Sequence, residues 1–331
     1  MSLRLREIPL HLDEEESALP VKLAEILGLS VARIRSWRIV RRGIDARKKP
    51  RVLRMYTVEF SLDDEAEVLR RHAGSSRLEP VVSTPLPELA RKVRPQRVLV
   101  VGMGPAGLFA ALRLAQHGLQ VTLLERGKPV EERIRDVERF WHRGLLDPSS
   151  NVQFGEGGAG TFSDGKLTTR LNSPWIRLVL QTLVDFGAPE EILVQAKPHV
   201  GSDRLRHMLV NFRRGLQNLG VDIRFNTCLT GLETRGGRVV AGLLADGSRF
   251  DCEQLVLALG HSARDTYRML LEAGVLLEPK PFAVGVRVEH AAEWINRIQY
   301  GLLFHPRLPT AEYALSWNDP ESKRGVYSFC M

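Results

Sequence analysis

The segment Val98–Gly107, with the sequence VLVVGMGPAG, constrains the fold of this 331-residue chain most strongly. Its apolar start predicts a buried strand, and Gly102, Gly104 and Gly107 follow with GxGxxG spacing. The next residues, Pro105–His117, have helical composition and are followed by a glycine that stops the helix. A glycine turn between a strand and a helix is the context in which this spacing is informative.

A second apolar segment, Val121–Leu124, predicts the next parallel strand, so that the order strand, helix, strand indicates a doubly wound α/β sheet. Gly102 permits the tight turn, Gly104 lets a pyrophosphate approach the backbone, and Gly107 lets the helix pack closely. Glu125 ends the second strand and can accept hydrogen bonds from ribose hydroxyl groups. These features predict a Rossmann-like site for NAD or FAD, against the alternative of a glycine-rich turn without a ligand.

The stretch Asn151–Arg170, NVQFGEGGAGTFSDGKLTTR, contains five glycines and too few apolar residues for a helix or a core strand. Glycines permit positive φ angles and close approach, and consecutive N–H groups in such turns can bind an anion. Asp164 and Lys166 add polar groups to the stretch. Phe154 and Phe162 argue against a mobile surface loop, so we expect a second wall of the nucleotide site here.

Several longer motifs resemble one family. They are GIDARKK at 43–49, LLERG at 123–127, the stretch at 151–170, LALGHSARDTY at 257–267 and KPFAVGVRVEH at 280–290. Together they are similar to the uncharacterised FAD-dependent dehydrogenases often labelled NAD(FAD)-utilizing dehydrogenases. The resemblance implies FAD on a Rossmann-like α/β scaffold of the glutathione-reductase-like group. It favours FAD over NAD as the cofactor.

The resemblance also implies which residues contact the cofactor: Gly102, Gly104, Pro105, Ala106, Gly107, Glu125, Arg126, Arg133, Gly157, Gly158, Gly160, Asp164, Lys166, Leu229, Ala258 and Gly260. The first glycines would face the pyrophosphate, and Glu125 and Arg126 the adenosine half. Arg133 would be a phosphate-side cation or, alternatively, part of a solvated helix face. The stretch from 155 to 166 would lie beside the ribityl chain or the isoalloxazine ring. His261 could move a proton beside the flavin or hydrogen-bond the backbone or a phosphate.

The function implied by the resemblance is hydride transfer through FAD to a small-molecule substrate that the sequence does not identify. An NAD-dependent Rossmann dehydrogenase and a non-catalytic nucleotide- or nucleic-acid-binding protein are the alternatives. Family members continue beyond Met331 with a Cys-Pro-Gly-Gly segment and a glycine- and asparagine-rich motif. We therefore expect a C-terminally truncated chain that binds FAD incompletely.

The expected domains are a small α+β domain over 1–75, a proline-rich linker over 76–95, the FAD-binding domain over 96–279 and an incomplete substrate domain over 280–331. The net charge is +8, and Arg33–Arg54 contains ten basic residues and one acid. This basic stretch is interpreted as a solvated surface, with a nucleic acid or anionic partner as the less favoured alternative.

Three cysteines without regular spacing indicate neither a metal site nor a disulfide framework, which favours a cytoplasmic location. Four acids at 13–16 fall where a signal peptide needs an apolar core. The longest apolar segment, Val98–Ala115, is interrupted by glycines, a proline and an arginine. It is interpreted as strand, turn and helix, and no membrane span is expected.

Overall fold

The computed structural model describes residues 2–82, 96–163, 165–169 and 171–328. The chain divides into two compact units. The first unit comprises Met1–Pro85, Glu190–Pro198 and Phe282–Met331. The second unit comprises Leu86–Pro189 and His199–Pro281. Within the described ranges, no helix combines the length and the apolar character needed to cross a membrane.

The α-helices of the described residues are α1 (Leu19–Leu27), α2 (Glu65–Arg71), α3 (Pro105–Gln116), α4 (Val130–Arg143), α5 (Trp175–Asp185), α6 (Ser202–Asn218), α7 (Arg264–Glu272) and α8 (Ala292–Tyr300). The strands are β1 (Leu3–His11), β2 (Ser36–Lys48), β3 (Arg51–Ser61), β4 (Leu78–Pro80), β5 (Arg97–Val101), β6 (Gln120–Leu124), β7 (Asp222–Arg224), β8 (Leu229–Arg235), β9 (Arg238–Leu244), β10 (Arg249–Asp251), β11 (Gln254–Leu257), β12 (Ser316–Asn318) and β13 (Gly325–Tyr327).

An antiparallel sheet in the order β2–β3–β1–β4 forms the core of the first unit. The alternation of apolar and polar residues in β3 buries Tyr56, Val58 and Phe60 on one face, as a half-buried strand requires. Helix α1 contributes Leu19 and Leu23 to the same core. The first unit therefore has its own hydrophobic core of mixed α and β structure.

The predicted linker over 76–95 contains a strand. Leu78–Pro80 pairs with β1, and Val81 N donates to the carbonyl oxygen of Ser2 at 2.8 Å. Leu78 is buried in the core of the sheet. The sheet thus extends past the expected boundary at residue 75, because an apolar residue after a short turn still reaches the core. The rest of this linker, 83–95, lies outside the described residues.

The segment 281–290, PFAVGVRVEH, is strand-like in sequence, because apolar residues alternate with others along it. The structure contains no strand there. The side chains of Phe282, Val284 and Val286 are 85%, 83% and 89% exposed. Among the described residues, no strand pairs with this segment, so its alternating side chains belong to no sheet.

The second unit is built on a parallel sheet in the order β11–β5–β6–β7. Its central strands are buried, with Leu99 and Leu123 fully inaccessible to solvent. An antiparallel meander of β8, β9 and β10 lies between β7 and β11 in the chain, and the turn residues Gly236-Gly237 and Asp246-Gly247 connect its strands. This arrangement confirms the predicted α/β fold.

The fingerprint glycines explain how α3 packs on the sheet. Gly102 has a φ of +101°, and a Cβ there would lie 2.4 Å from the carbonyl oxygen of Ala258. A Cβ on Gly107 would lie 1.8 Å from the carbonyl oxygen of Gly102. Neither position tolerates a side chain, because the obstructing atoms belong to the backbone. Helix α3 and the residues that follow β5 and β11 therefore contact one another at these glycines.

Replacing Gly107 with Ala is therefore expected to destabilise the second unit by about 2 kcal/mol or more, since backbone must move to accept the methyl group. Thermal unfolding followed by circular dichroism measures the effect. Gly74→Ala is the matched control, because a Cβ there has no atom within 4 Å. Equal midpoints for the two variants would contradict the packing argument.

Candidate functional site

A groove of about 550 Å³ opens in the second unit at the carboxyl ends of β5, β6 and β11. One wall is the turn from Gly102 to Ala106, and the facing wall is the glycine-rich stretch from Gln153 to Gly160. The residues after β11 and the start of β8 complete the lining. In open α/β sheets this edge is where ligands bind.

Most of the residues that the sequence assigned to a cofactor line this groove: Gly102, Gly104, Pro105, Ala106, Glu125, Arg126, Gly158, Gly160, Leu229, Ala258 and Gly260. Four others do not: Gly107, Arg133, Gly157 and Lys166. Asp164 lies outside the described residues. Lys166 instead forms an isolated antiparallel bridge with His199, which directs its backbone along that neighbouring segment.

The first wall has the geometry of a phosphate site. Gly104 is the N-cap of α3, and Pro105, the first helical residue, is followed by backbone N–H groups that have no intrahelical partner. A Cβ on Gly158 would lie 3.0 Å from the Cα of Gly104, so the two glycine turns are in contact. A diphosphate beside this helix start would meet free donors and the positive end of the helix dipole.

The carboxylate of Glu125 ties three segments together at the groove. Its Oε2 accepts a hydrogen bond from Met103 N at 2.8 Å. Its Oε1 accepts from Gly127 N at 2.9 Å and from Gly155 N at 3.0 Å. A carboxylate offers about four acceptor positions, so one is left for a ribose hydroxyl group. The predicted ribose contact is compatible with this geometry, but the sequence did not reveal the structural role.

The environment of Arg133 matches neither of the two roles that the sequence suggested for it. Its side chain is 0% exposed. Its guanidinium donates to the carbonyl oxygens of Asn151, Val152, Gly155 and Glu156 and to Thr161 Oγ1, at 2.6 to 3.3 Å. Burial lowers the pKa of Arg133 to about 10, and the nearby carboxylates of Glu125 and Glu156 oppose this change. Arg133 is neither a phosphate-side cation nor a solvated residue, because the glycine-rich stretch folds around its guanidinium.

At two glycines of the stretch, other protein atoms occupy the space that a Cβ would take. Gly155 has a φ of +120°, and a Cβ there would lie 2.4 Å from Cδ of Arg133. A Cβ on Gly157 would lie 2.3 Å from Thr161 Oγ1 and 2.4 Å from Leu209 Cδ1. Gly157 was assigned to the cofactor, but the structure explains it by packing against α6.

Glu156 lies under the same wall and is fully buried. Its Oε2 accepts hydrogen bonds from Val130 N at 2.8 Å and from an amino group of Arg213 at 3.1 Å. Its Oε1 has no hydrogen-bond partner among the described residues. Burial raises the pKa of Glu156 to about 7, although the bonds from Val130 and Arg213 oppose that change.

Arg126 is held rigidly at the adenosine end predicted for it. Its two terminal nitrogens donate to the two carboxylate oxygens of Asp265, each at 3.0 Å. One of them also donates to Thr266 Oγ1 at 2.9 Å. The guanidinium carbon lies 4.4 Å from the ring centroid of Phe154. Burial alone would raise the pKa of Asp265, but the hydrogen bonds from Arg126 and Thr266 N lower it below its ordinary value.

The sequence missed several lining residues, among them Gln153, Phe154, Thr227 and three on α7 or its N-cap: Ala263, Thr266 and Tyr267. Spacings of three and four place these last three on one helical face, a signal that the sequence contained. His261 also lines the groove. Its Nδ1 lies 2.8 Å from Ser262 Oγ, which bonds to Gln153 Oε1 at 3.1 Å. Among the described residues, no cluster of His, Cys, Asp and Glu could hold a metal ion.

The parallel sheet, the glycine turn and the acid after β6 define a dinucleotide-binding α/β protein. Comparison with protein families makes the class more specific. Residues 97–189 match the FAD dependent oxidoreductase family. Residues 281–331 match the FAD-dependent protein, C-terminal domain-like family, and residues 2–61 match a domain of unknown function. These matches to FAD-dependent families support the predicted cofactor, FAD.

An uncharacterized protein of Clostridium beijerinckii is 42% identical over 333 residues, covering 100% of this chain. The chain spans 62% of the length of that relative. An FAD-dependent monooxygenase of Hypoxylon pulicicidum is 26% identical over 58% of this chain and 42% of its own length. The crystal structure of glycine oxidase from Bacillus cereus is 14% identical over 54% of this chain and 58% of its own, with a TM-score of 0.36.

Arg133→Lys is expected to weaken FAD binding about tenfold or more, because one ammonium group cannot replace a guanidinium that bonds to five acceptors. FAD titration followed by protein fluorescence measures the affinity, and limited proteolysis of the glycine-rich stretch measures its order. Arg135→Lys, on the exposed face of the same helix, is the control. Unchanged affinity in the Arg133 variant would show that the stretch folds without its guanidinium.

Glu156→Gln should change the dependence of stability on pH. The folded-state pKa of about 7 lies above the ordinary value of 4.5, so ionising Glu156 destabilises the native state as pH rises between those values. The variant has no carboxyl group to ionise at this position, so its free energy of unfolding should rise by on the order of 3 kcal/mol relative to that of the parent between pH 4 and pH 8. Urea-induced unfolding at several pH values measures it. Glu132→Gln, exposed on α4, should run parallel to the parent.

Proposed function

We propose that this chain is the cofactor-binding part of an FAD-dependent dehydrogenase of the glutathione-reductase-like type, related to the NAD(FAD)-utilizing dehydrogenases. The observation that carries the proposal is the groove, in which a helix start, a strand-end acid and a glycine-rich wall face one another. This is the arrangement that an elongated dinucleotide with a central diphosphate requires. The reaction proposed is hydride transfer between bound flavin and a small-molecule substrate.

FAD supplies the hydride chemistry when it is bound, and the residues of this chain bind and orient it. The backbone N–H group of Ala106, which lines the groove at the start of α3, would meet the diphosphate. The remaining acceptor position of Glu125 would take a ribose hydroxyl group. Gly158 and Gly160 would give the flavin half an approach without side chains. His261 is proposed as a hydrogen-bonding residue of the lining, in contact with Ser262.

An NAD-dependent dehydrogenase would use the same first wall, so the glycine turn does not separate it from the proposal. The matches of 97–189 and 281–331 to FAD-dependent families support FAD. A cytoplasmic location stays a prediction.

A nucleic-acid-binding function draws its support from the basic stretch Arg33–Arg54. Much of that charge is compensated within the first unit. The pairs are Arg33–Asp64, Arg35–Asp63, Arg38–Glu59, Arg42–Glu16 and Arg47–Asp45. Compensated arginines attract phosphates less than free ones, so a solvated surface is the better proposal.

The proposal is tested by purifying the protein and measuring its visible absorbance and the flavin released on denaturation. A yellow protein that releases FAD is expected, and a reductant should bleach its visible band. Gly104→Val should weaken FAD binding about tenfold or more, because its side chain would occupy the diphosphate path. The φ of −75° at Gly104 is open to any residue, so the fold should persist.

Gly74→Val, with open space at its Cβ, is the matched control for added bulk. A colourless protein that cannot be reconstituted with FAD would contradict the proposal. NADH binding in that protein, measured by calorimetry, would favour the NAD-dependent alternative.

A further inference from the structure

The cation at the adenosine end of the groove is already paired within the protein. Arg126 directly follows Glu125 at the end of β6. In dinucleotide folds, an arginine near this position accommodates a 2′-phosphate on the adenosine ribose. Here the guanidinium makes a bidentate pair with Asp265, with both N–O distances at 3.0 Å. A third bond goes to Thr266 Oγ1.

Neighbouring groups hold both Arg126 and Asp265 in place. The face of the guanidinium lies over Phe154, at 4.4 Å from the ring centroid, which fixes the plane in which its donors point. Asp265 lies in the first turn of α7, where the helix dipole favours a carboxylate, and accepts a further hydrogen bond from Thr266 N at 2.9 Å. Three of the five N–H donors of Arg126 are therefore occupied by Asp265 and Thr266.

The charges of Glu125, Arg126 and Asp265 determine how a phosphate would interact with this end of the groove. Arg133 compensates the charge of Glu125 from beneath the glycine-rich wall, and Asp265 compensates the charge of Arg126, so neither cation is left unpaired beside the groove. A phosphate monoester carries close to two negative charges at neutral pH. It would meet the carboxylate of Glu125 and a guanidinium whose charge Asp265 already compensates. An unphosphorylated ribose would meet only the remaining acceptor position of Glu125.

We propose that Asp265 determines cofactor specificity: by pairing with Arg126 it restricts the groove to adenosine ligands without a 2′-phosphate. This inference rests on the proposed function, because it assigns the Arg126 end of the groove to the adenosine half. Asp265 acts through Arg126 and is a positioning residue. The chemical class excluded is the 2′-phosphorylated dinucleotide.

The test compares AMP with adenosine 2′,5′-bisphosphate by calorimetric titration of the purified protein. The parent should bind AMP at least about tenfold more tightly than the bisphosphate. Asp265→Asn should reduce this ratio about tenfold or more, because Arg126 then has donors free for the 2′-phosphate. Asp265→Ser is a second uncharged variant, in case the first one folds poorly.

Three controls separate the local effect from a change in overall charge. Asp222→Asn makes the same charge change at an exposed ion pair outside the groove lining, and should leave the ratio as in the parent. Asp265→Glu keeps the carboxylate and should retain most of the preference for AMP. Combining Asp265→Asn with Arg126→Gln should abolish the gain in bisphosphate binding.

An unchanged ratio in both uncharged variants, or an equal shift in Asp222→Asn, would overturn the inference. A parallel FAD titration separates a failure of the Asp265 specificity role from a failure of the proposed function. If FAD and AMP bind but the ratio does not move, the specificity role of Asp265 is wrong and the proposed function stands. If the parent binds neither FAD nor AMP, both are wrong.

Discussion

The groove of the second unit depends on the hydrogen bonds that the Glu125 carboxylate accepts from three backbone N–H groups. Those groups belong to Met103 in the glycine turn, Gly127 after β6 and Gly155 in the glycine-rich stretch. The glycine turn and the glycine-rich stretch, whose donors lie 22 and 30 residues from Glu125 in the sequence, are thereby fixed to the end of β6. Hydrogen bonds to a charged acceptor are about twice as strong as neutral ones, so a single side chain can maintain the spacing of the two walls.

A buried anion of this kind needs compensation, and the structure supplies it from a buried cation. Arg133 lies under the glycine-rich stretch, and Glu125 and Glu156 both favour its charged form. Its donors meet backbone carbonyl oxygens and a hydroxyl group, so they leave both carboxylates free to bond elsewhere. Removing one member of such a network leaves the others buried without compensation, which costs more than the pair contributes. The wall is consequently a cooperative unit of Glu125, Arg133 and the backbone between 151 and 161.

The sequence predicted the elements that depend on local pattern. Strands β5 and β6 and helix α3 follow from apolar segments and a helix-stop glycine, and Gly107 packs as the fingerprint requires. The pattern of α4 could not assign Arg133, because the acceptors for its guanidinium lie eighteen or more residues away. The strand-like alternation at 281–290 likewise forms no strand, because a strand needs a neighbour and pairing is a non-local property.

The glycines of the 151–170 stretch show why composition alone could not assign function to each position. Glycine density predicted a close approach to the backbone, and the structure contains close approaches of two kinds. Gly160 lines the groove with nothing within 4 Å of its Cβ position, while at Gly155, Gly157 and Gly158 other protein atoms occupy that position. The second kind makes the first possible, since a loop that packs on its own protein through Gly155 and Gly157 holds its other glycines at a fixed distance from α3. Preorganisation of this wall follows from protein contacts, so it exists before any ligand contributes.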